Sequence, residues 1–161
     1  MAKNPLVELR RLGQSPWLDF IERGLISSGG LMRLVSGDGI TGVTSNPTIF
    51  EKAISGGREY DGQIRALADR GAGVMEAYKE IVAEDIRNAA DVLRPVYDAS
   101  SGADGYVSLE VDPDLAYDTD RTIARAEELF RAVSRPNVSS RSPAPGKACP
   151  RSKRPPPGAS R

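Results

Sequence analysis

The stretch Gly42-Val43-Thr44-Ser45-Asn46-Pro47-Thr48-Ile49-Phe50 reads as a short buried strand running straight into a helix. Gly42–Thr44 has strand character, and Asn46 followed by Pro47 is a helix-start signal. An Asn side chain at the N-cap accepts from a free first-turn amide, and Pro at the first helical position sacrifices no hydrogen bond. The junction sets Asn46 at the carboxyl end of a strand, where α/β proteins gather their chemistry. Taken alone, the same residues also serve simply as a cap.

The rest of the chain alternates in the same style. Pro16–Phe20 is expected as a first strand, followed by two short helical pieces around Ile21–Leu25 and Gly30–Val35 and a turn at Gly37-Asp38-Gly39. Ile40–Thr44 is the second strand and Pro47–Ile54 its helix, with Gly56-Gly57 breaking the chain. Ile64 and Leu67 begin a helical pattern that Gly71 and Gly73 interrupt. Val74, Ala77, Tyr78, Ile81, Ile86, Ala89, Ala90 and Leu93 then recur at helical spacing, and Pro95 is expected to end that helix or to come just after its end. Asp104–Val111 alternates as a third strand. Asp118-Thr119-Asp120 caps a helix with the apolar face Ile123, Ala126, Phe130 and Val133, and Val138 is placed to begin a fourth strand. Strands separated by helices call for a parallel sheet with crossover helices. A doubly wound sheet and a (β/α)8 barrel fit equally, and since a barrel takes ~250 residues, this chain could supply only about half of one.

Composition separates two regions. The formal charge is zero, but residues 139–161 carry six basic residues and no acid, leaving 16 basic against 22 acidic, about −6, on residues 1–138. An acidic body argues against nucleic acid as a partner. The tail also holds 6 of the 12 prolines, so the organisation changes at Val138. One Cys (Cys149) and no His argue against a disulfide framework and a metal site. No apolar run approaches the ~18 residues of a membrane span, and no signal-peptide core is evident, so no membrane partner and a cytoplasmic location are expected.

Asp19, Asn46 and Glu110 fall at or near successive strand ends, the way such folds assemble a site. Each also has a plain reading, as a solvated acid or a cap. Trp17-Leu18-Asp19-Phe20, the Gly42–Phe50 stretch, and Ser108-Leu109-Glu110-Val111-Asp112-Pro113 with Ala116-Tyr117-Asp118-Thr119 behind it resemble, in order, the first three strand motifs of transaldolases of the long bacterial form. The resemblance spans nearly all of residues 13–138. It implies the first three to four βα units of a (β/α)8 barrel. It also implies sugar-phosphate substrates, and transfer of a dihydroxyacetone unit from sedoheptulose 7-phosphate to glyceraldehyde 3-phosphate in the pentose phosphate pathway. A lysine Schiff base would serve as the electron sink, with no metal or organic cofactor. On that resemblance Asp19 takes the proton that releases the C–C bond, and Glu110 shuttles protons through a water. Asn46 donates and accepts hydrogen bonds that hold the substrate, and Thr44 and Ser45 shape the same wall.

The family's Schiff-base lysine sits on the fourth strand, in a segment like Ile-Lys-Ile-Pro directly after an Arg-Pro-Asn-Val of the kind found at Arg135–Val138. This chain continues Ser139-Ser140-Arg141-Ser142-Pro143-Ala144-Pro145, so the fourth strand and its amine are expected to be missing and the chain inactive. Lys147 lies in a Pro/Gly-rich stretch with no strand to aim it. If Ser140-Arg141-Ser142 were encoded TCA-AGA-TCC after an A, a shift of one nucleotide would regroup them as ATC-AAG-ATC, Ile-Lys-Ile, with the AAG straddling Ser140 and Arg141. Gly146–Lys153 regroups likewise to Gly-Leu-Pro-Ala-Ile-Glu. The hypothesis is a frameshift after Val138, giving a partial barrel over 1–138 and a basic, disordered, out-of-frame tail over 139–161. Gene resequencing that finds codons unable to regroup in this way rules it out. The alternative is a non-catalytic interaction module acting through the tail. Its Arg154-Pro155-Pro156-Pro157 is a basic polyproline II segment of the kind SH3-type domains bind.

Overall fold

Leu18, Val43, Val107 and Val138 stand side by side in register across four parallel strands. In the computed structural model, which describes residues 4–110 and 118–141, these strands are β1 (Trp17–Leu18), β2 (Gly42–Thr44), β3 (Tyr106–Glu110) and β4 (Val138–Arg141). They form one sheet in the order β1-β2-β3-β4. A doubly wound sheet reverses its strand order at a switch point, and this one does not. Right-handed crossovers in a single direction put the helices on one face, as in a (β/α) barrel wall.

Among the described residues seven α-helices accompany the strands: α1 (Pro5–Arg11), α2 (Arg23–Ser27), α3 (Gly30–Arg33), α4 (Pro47–Gly56), α5 (Asp61–Asp69), α6 (Val74–Ala99) and α7 (Thr119–Val133). Against their side of the sheet lies the core. Val43 and Val107 pack with Ile86, Ala89, Ala90 and Leu93 of α6, and Ile21, Leu31, Phe50 and Val133 close it. The fourth strand expected to be lost is present through Arg141, in register with β3 as far as the Glu110–Arg141 pair. Extended polar residues suffice there because a parallel neighbour supplies the ladder.

Other expectations need correction. Helix α1 was not expected from the sequence; Asn4 caps it, accepting from Leu6 N–H at 2.9 Å with Pro5 at N1. The turn expected at Gly37-Asp38-Gly39 is absorbed into a π-helical turn over Leu34–Asp38, which ends on Gly39 at φ 78°. Helix α6 does not stop at Pro95 but runs one turn further to Ala99. Pro95 lies on the exposed side, so the carbonyl deprived of its N–H partner can be hydrated.

The face of α7 is rotated from the expected one. Thr122, Leu129 and Val133 are buried, whereas Ile123 and Phe130 are 39% and 44% exposed. At about 100° per residue, Ile123 and Phe130 fall on the flank opposite Lys79 and Arg87 of α6, which reach Glu128 and the Ala132 carbonyl of α7.

A buried polar cluster ties α2, α5 and α6 together. Arg23 Nε donates to Asp85 Oδ1 at 2.8 Å and the Tyr60 hydroxyl donates to Asp85 Oδ2 at 2.9 Å. Arg23 N–H donates to the Tyr60 oxygen at 3.1 Å, and its guanidinium lies 4.6 Å from the Tyr60 ring centre. Burial raises the Asp85 carboxyl, with Arg23 pulling the other way. Burial, reinforced by Asp85, pushes the Tyr60 phenol up to about 12. The native state then keeps a proton that the unfolded chain releases near pH 10. Stability from this group is intact below pH 10 and lost as pH rises toward 12, by about 2–3 kcal/mol. Urea midpoints measured between pH 8 and 11 are expected to fall more steeply for the native sequence than for Tyr60→Phe.

Candidate active site

Three strands deliver one polar residue each to the same end of the sheet. Asp19 follows the last residue of β1, Asn46 lies two residues past β2, and Glu110 is the last residue of β3. All three line one cleft of about 530 Å3, together with Pro47, Thr48, Ile49 and Lys52 of α4.

The local geometry divides the labour among them. The Thr44 hydroxyl donates to Asp19 Oδ1, a contact set by the β1–β2 pairing that puts Leu18 beside Val43. Asn46 caps α4 with its Oδ1, which accepts from Ile49 N–H at 2.9 Å. That leaves its Nδ2 without a partner among the described residues. Its Oδ1 retains a second lone pair beyond the one the helix cap takes. Ser45 points elsewhere: it is buried, and its hydroxyl donates to the Ser108 carbonyl at 3.0 Å, in parallel with its own N–H. It pins β2 to β3 and, with Asn46 and Glu110, lines a small void next to the cleft that holds Asp19.

A void of about 20 Å3 adjoins the cleft, lined by Asn46, Glu110, Tyr78, Lys79 and Arg125 among others. It is large enough for one water. Two features of the site went unread in the sequence. Lys52 lines the cleft one and a half turns along α4, and the Arg23–Asp85–Tyr60 cluster anchors α2 only four residues after Asp19. The second had a signal: Asp85 interrupts the apolar stripe of α6 between Ile81, Val82 and Ile86, where an acid needs a buried partner. The motif residues Val111, Asp112, Pro113, Ala116 and Tyr117 lie outside the described residues, as does Lys147.

A one-way parallel βα sheet with convergent polar residues at its strand ends defines the class: a (β/α) barrel wall with a candidate site at its carboxyl face. The sequence matches the family described as transaldolase/fructose-6-phosphate aldolase over residues 16–140, and the chain belongs to that family. It is 54% identical over 140 residues to a transaldolase of Parafrankia sp. (strain EAN1pec), covering 87% of this chain and 38% of that protein. To a transaldolase of Thermobifida fusca (strain YX) it is 55% identical over 141 residues, 88% of this chain and 38% of the relative. Transaldolase 2 of Nostoc punctiforme is 48% identical over 138 residues, 86% and 36% of the two chains. The chain thus spans a little over a third of the length of these relatives.

Proposed function

We propose that the cleft is the ketose-handling wall of a transaldolase-type site. The complete site would move a dihydroxyacetone unit from sedoheptulose 7-phosphate to glyceraldehyde 3-phosphate through a lysine Schiff base. One observation carries this reading: Asp19, Asn46 and Glu110, distant in sequence, line a single cleft at the strand ends.

A lysine amine adds to the ketose carbonyl and loses water, and the resulting iminium accepts the electron pair of the breaking C–C bond as an enamine. Asp19, oriented by Thr44, takes the proton of the hydroxyl whose carbon leaves as an aldehyde. Glu110 moves protons while the imine forms and hydrolyses, and the adjoining void has room for the water this needs. Asn46 Nδ2 donates to a substrate oxygen. Thr44 and Ser45 act through the residues they hold, Asp19 and the β2–β3 pairing.

In this reading the present chain is inactive, because no lysine stands on β4. The register sets Ser140 and Arg141 opposite Leu109 and Glu110, the two positions that the supposed frameshift would regroup into a lysine codon. An arginine there cannot form the imine, since its guanidinium stays protonated. Borohydride reduction with fructose 6-phosphate tests the reading: the chain stays unmodified and Arg141→Lys gains a covalent sugar phosphate. The alternative of an interaction module rests on tail residues outside the described ones, and nothing in the fold favours it.

A further inference from the structure

Asp19 belongs to no regular element. Strand β1 ends at Leu18 and α2 starts at Arg23, and Asp19 through Glu22 bridge the gap. Strand pairing fixes one end of this link, at Leu18–Val43, and the Thr44 hydroxyl reaches the carboxylate from the end of β2. Arg23 fixes the other end. Glu22 sits at the N-cap of α2 without a side-chain cap bond, and the first free amide of the helix, Arg23 N–H, donates instead to the Tyr60 hydroxyl. The Arg23 guanidinium donates to Asp85 through Nε and to Gln63 Oε1 at 2.7 Å through Nη2. Backbone and side chain of one residue thus tie α2 to both α5 and α6. Helix α2 has five residues and cannot hold its own direction, since isolated helices shorter than about 12 residues are marginal in water. A buried carboxylate is a costly anchor, and apolar residues of like volume often pack as well or better. What the cluster adds is direction: a planar guanidinium held from two sides fixes angle as well as distance.

We propose that Arg23 is a positioning residue for Asp19: its clamp on Tyr60, Gln63 and Asp85 sets where the link carrying the carboxylate can lie, and so keeps Asp19 within reach of Thr44 and the cleft. The inference rests on the ketose-handling reading of that cleft. The test follows the Thr44 β-carbon signal of the full chain by NMR, with its displacement in Asp19→Ala marking loss of the Thr44–Asp19 contact. Arg23→Met combined with Asp85→Leu removes the clamp while filling the space, so that most of the stability is kept. This double variant is expected to move the Thr44 signal most of the way to its Asp19→Ala position. Tyr60→Phe, which deletes only the hydroxyl, is expected to move it part of the way in the same direction, and decides the matter alone if the double variant does not fold. Gly71→Ala strains a residue at φ +75° with open space around it, away from the cluster, and is expected to lower stability without moving the signal. A Thr44 signal that keeps its native position in either folded clamp variant, or that moves equally in Gly71→Ala, overturns the proposal. The parent reading is checked separately, by borohydride reduction of Arg141→Lys with fructose 6-phosphate. No adduct at position 141 removes that reading, and with it the catalytic purpose of holding Asp19. An adduct together with an unmoved Thr44 signal removes this proposal alone.

Discussion

Asp85→Ala is expected to lower the unfolding free energy by about 3–5 kcal/mol, the cost of leaving a buried charge without its partner. Asp85 is fully buried, and both of its oxygens are engaged, one by Arg23 and one by Tyr60. Alanine leaves an Arg23 side chain that is only 15% exposed without its close counter-ion, holding only Gln63 Oε1 at 2.7 Å and Glu84 at 3.9 Å. It also leaves the Tyr60 hydroxyl with nothing to donate to. Domains hold only about 5–15 kcal/mol in total, so the urea midpoint should fall far or the transition vanish. The cause is separable from simple loss of packing. Arg23→Met combined with Asp85→Leu removes both charges while filling the space, and it should recover most of the loss. A double variant no more stable than Asp85→Ala would mean that the volume of the site matters and its charge does not. The cluster bears on the site as well, because Arg23 starts α2 immediately after the segment carrying Asp19.

Gly105→Ala is the second large effect, at about 3 kcal/mol or more from left-handed strain and overpacking combined. Gly105 has φ +84°, and a Cβ there would lie 2.3 Å from Tyr97 N and 2.7 Å from Tyr97 Cα. Those are backbone atoms of α6 and cannot swing aside. Nor can Gly105 retreat, since its N–H bonds the Thr41 carbonyl at 3.0 Å and its carbonyl accepts from Asn137 Nδ2 at 3.0 Å. Gly71→Ala supplies the control: its φ is +75°, but nothing lies within 4 Å of a Cβ there. It should cost about 1–2 kcal/mol, the strain alone. Equal losses in thermal or urea unfolding would show that α6 shifts to relieve the contact.

Much of the fold was legible because capping chemistry is local. Asn46-Pro47 and Asp118 start α4 and α7 where the sequence puts them, and both side chains accept the expected amides. The same Asn-Pro signal at Asn4-Pro5 starts α1, which passes unnoticed because that helix buries no residue and shows no apolar period. Pro95 misleads for the opposite reason. Its cost depends on which side of the helix it occupies, and sequence does not give that. The face of α7 depends on where α6 lies, a tertiary fact. The strand ends were readable, so Asp19, Asn46 and Glu110 could be named together. The destinations of individual hydroxyls and amines could not: Ser45 turns to the Ser108 carbonyl, and Lys52 reaches the cleft from two residues past the motif. The fourth strand was misjudged because Ser139-Ser140-Arg141 has no apolar pattern, while the pairing with β3 that sustains it is non-local.

The most direct measurement reduces the chain and its Arg141→Lys variant with borohydride in the presence of fructose 6-phosphate and locates any adduct by peptide mass spectrometry. Hydride would add to the imine carbon and leave a stable secondary amine. The expected result is an unmodified chain and a variant labelled at position 141, opposite Glu110 in the β3–β4 register. Asp19→Asn placed in the variant background should not abolish that label, because imine formation precedes the C–C cleavage that Asp19 serves. Labelling of the unsubstituted chain at any lysine, or a variant that takes no label at position 141, would contradict a ketose site on this wall completed by an amine at that strand position.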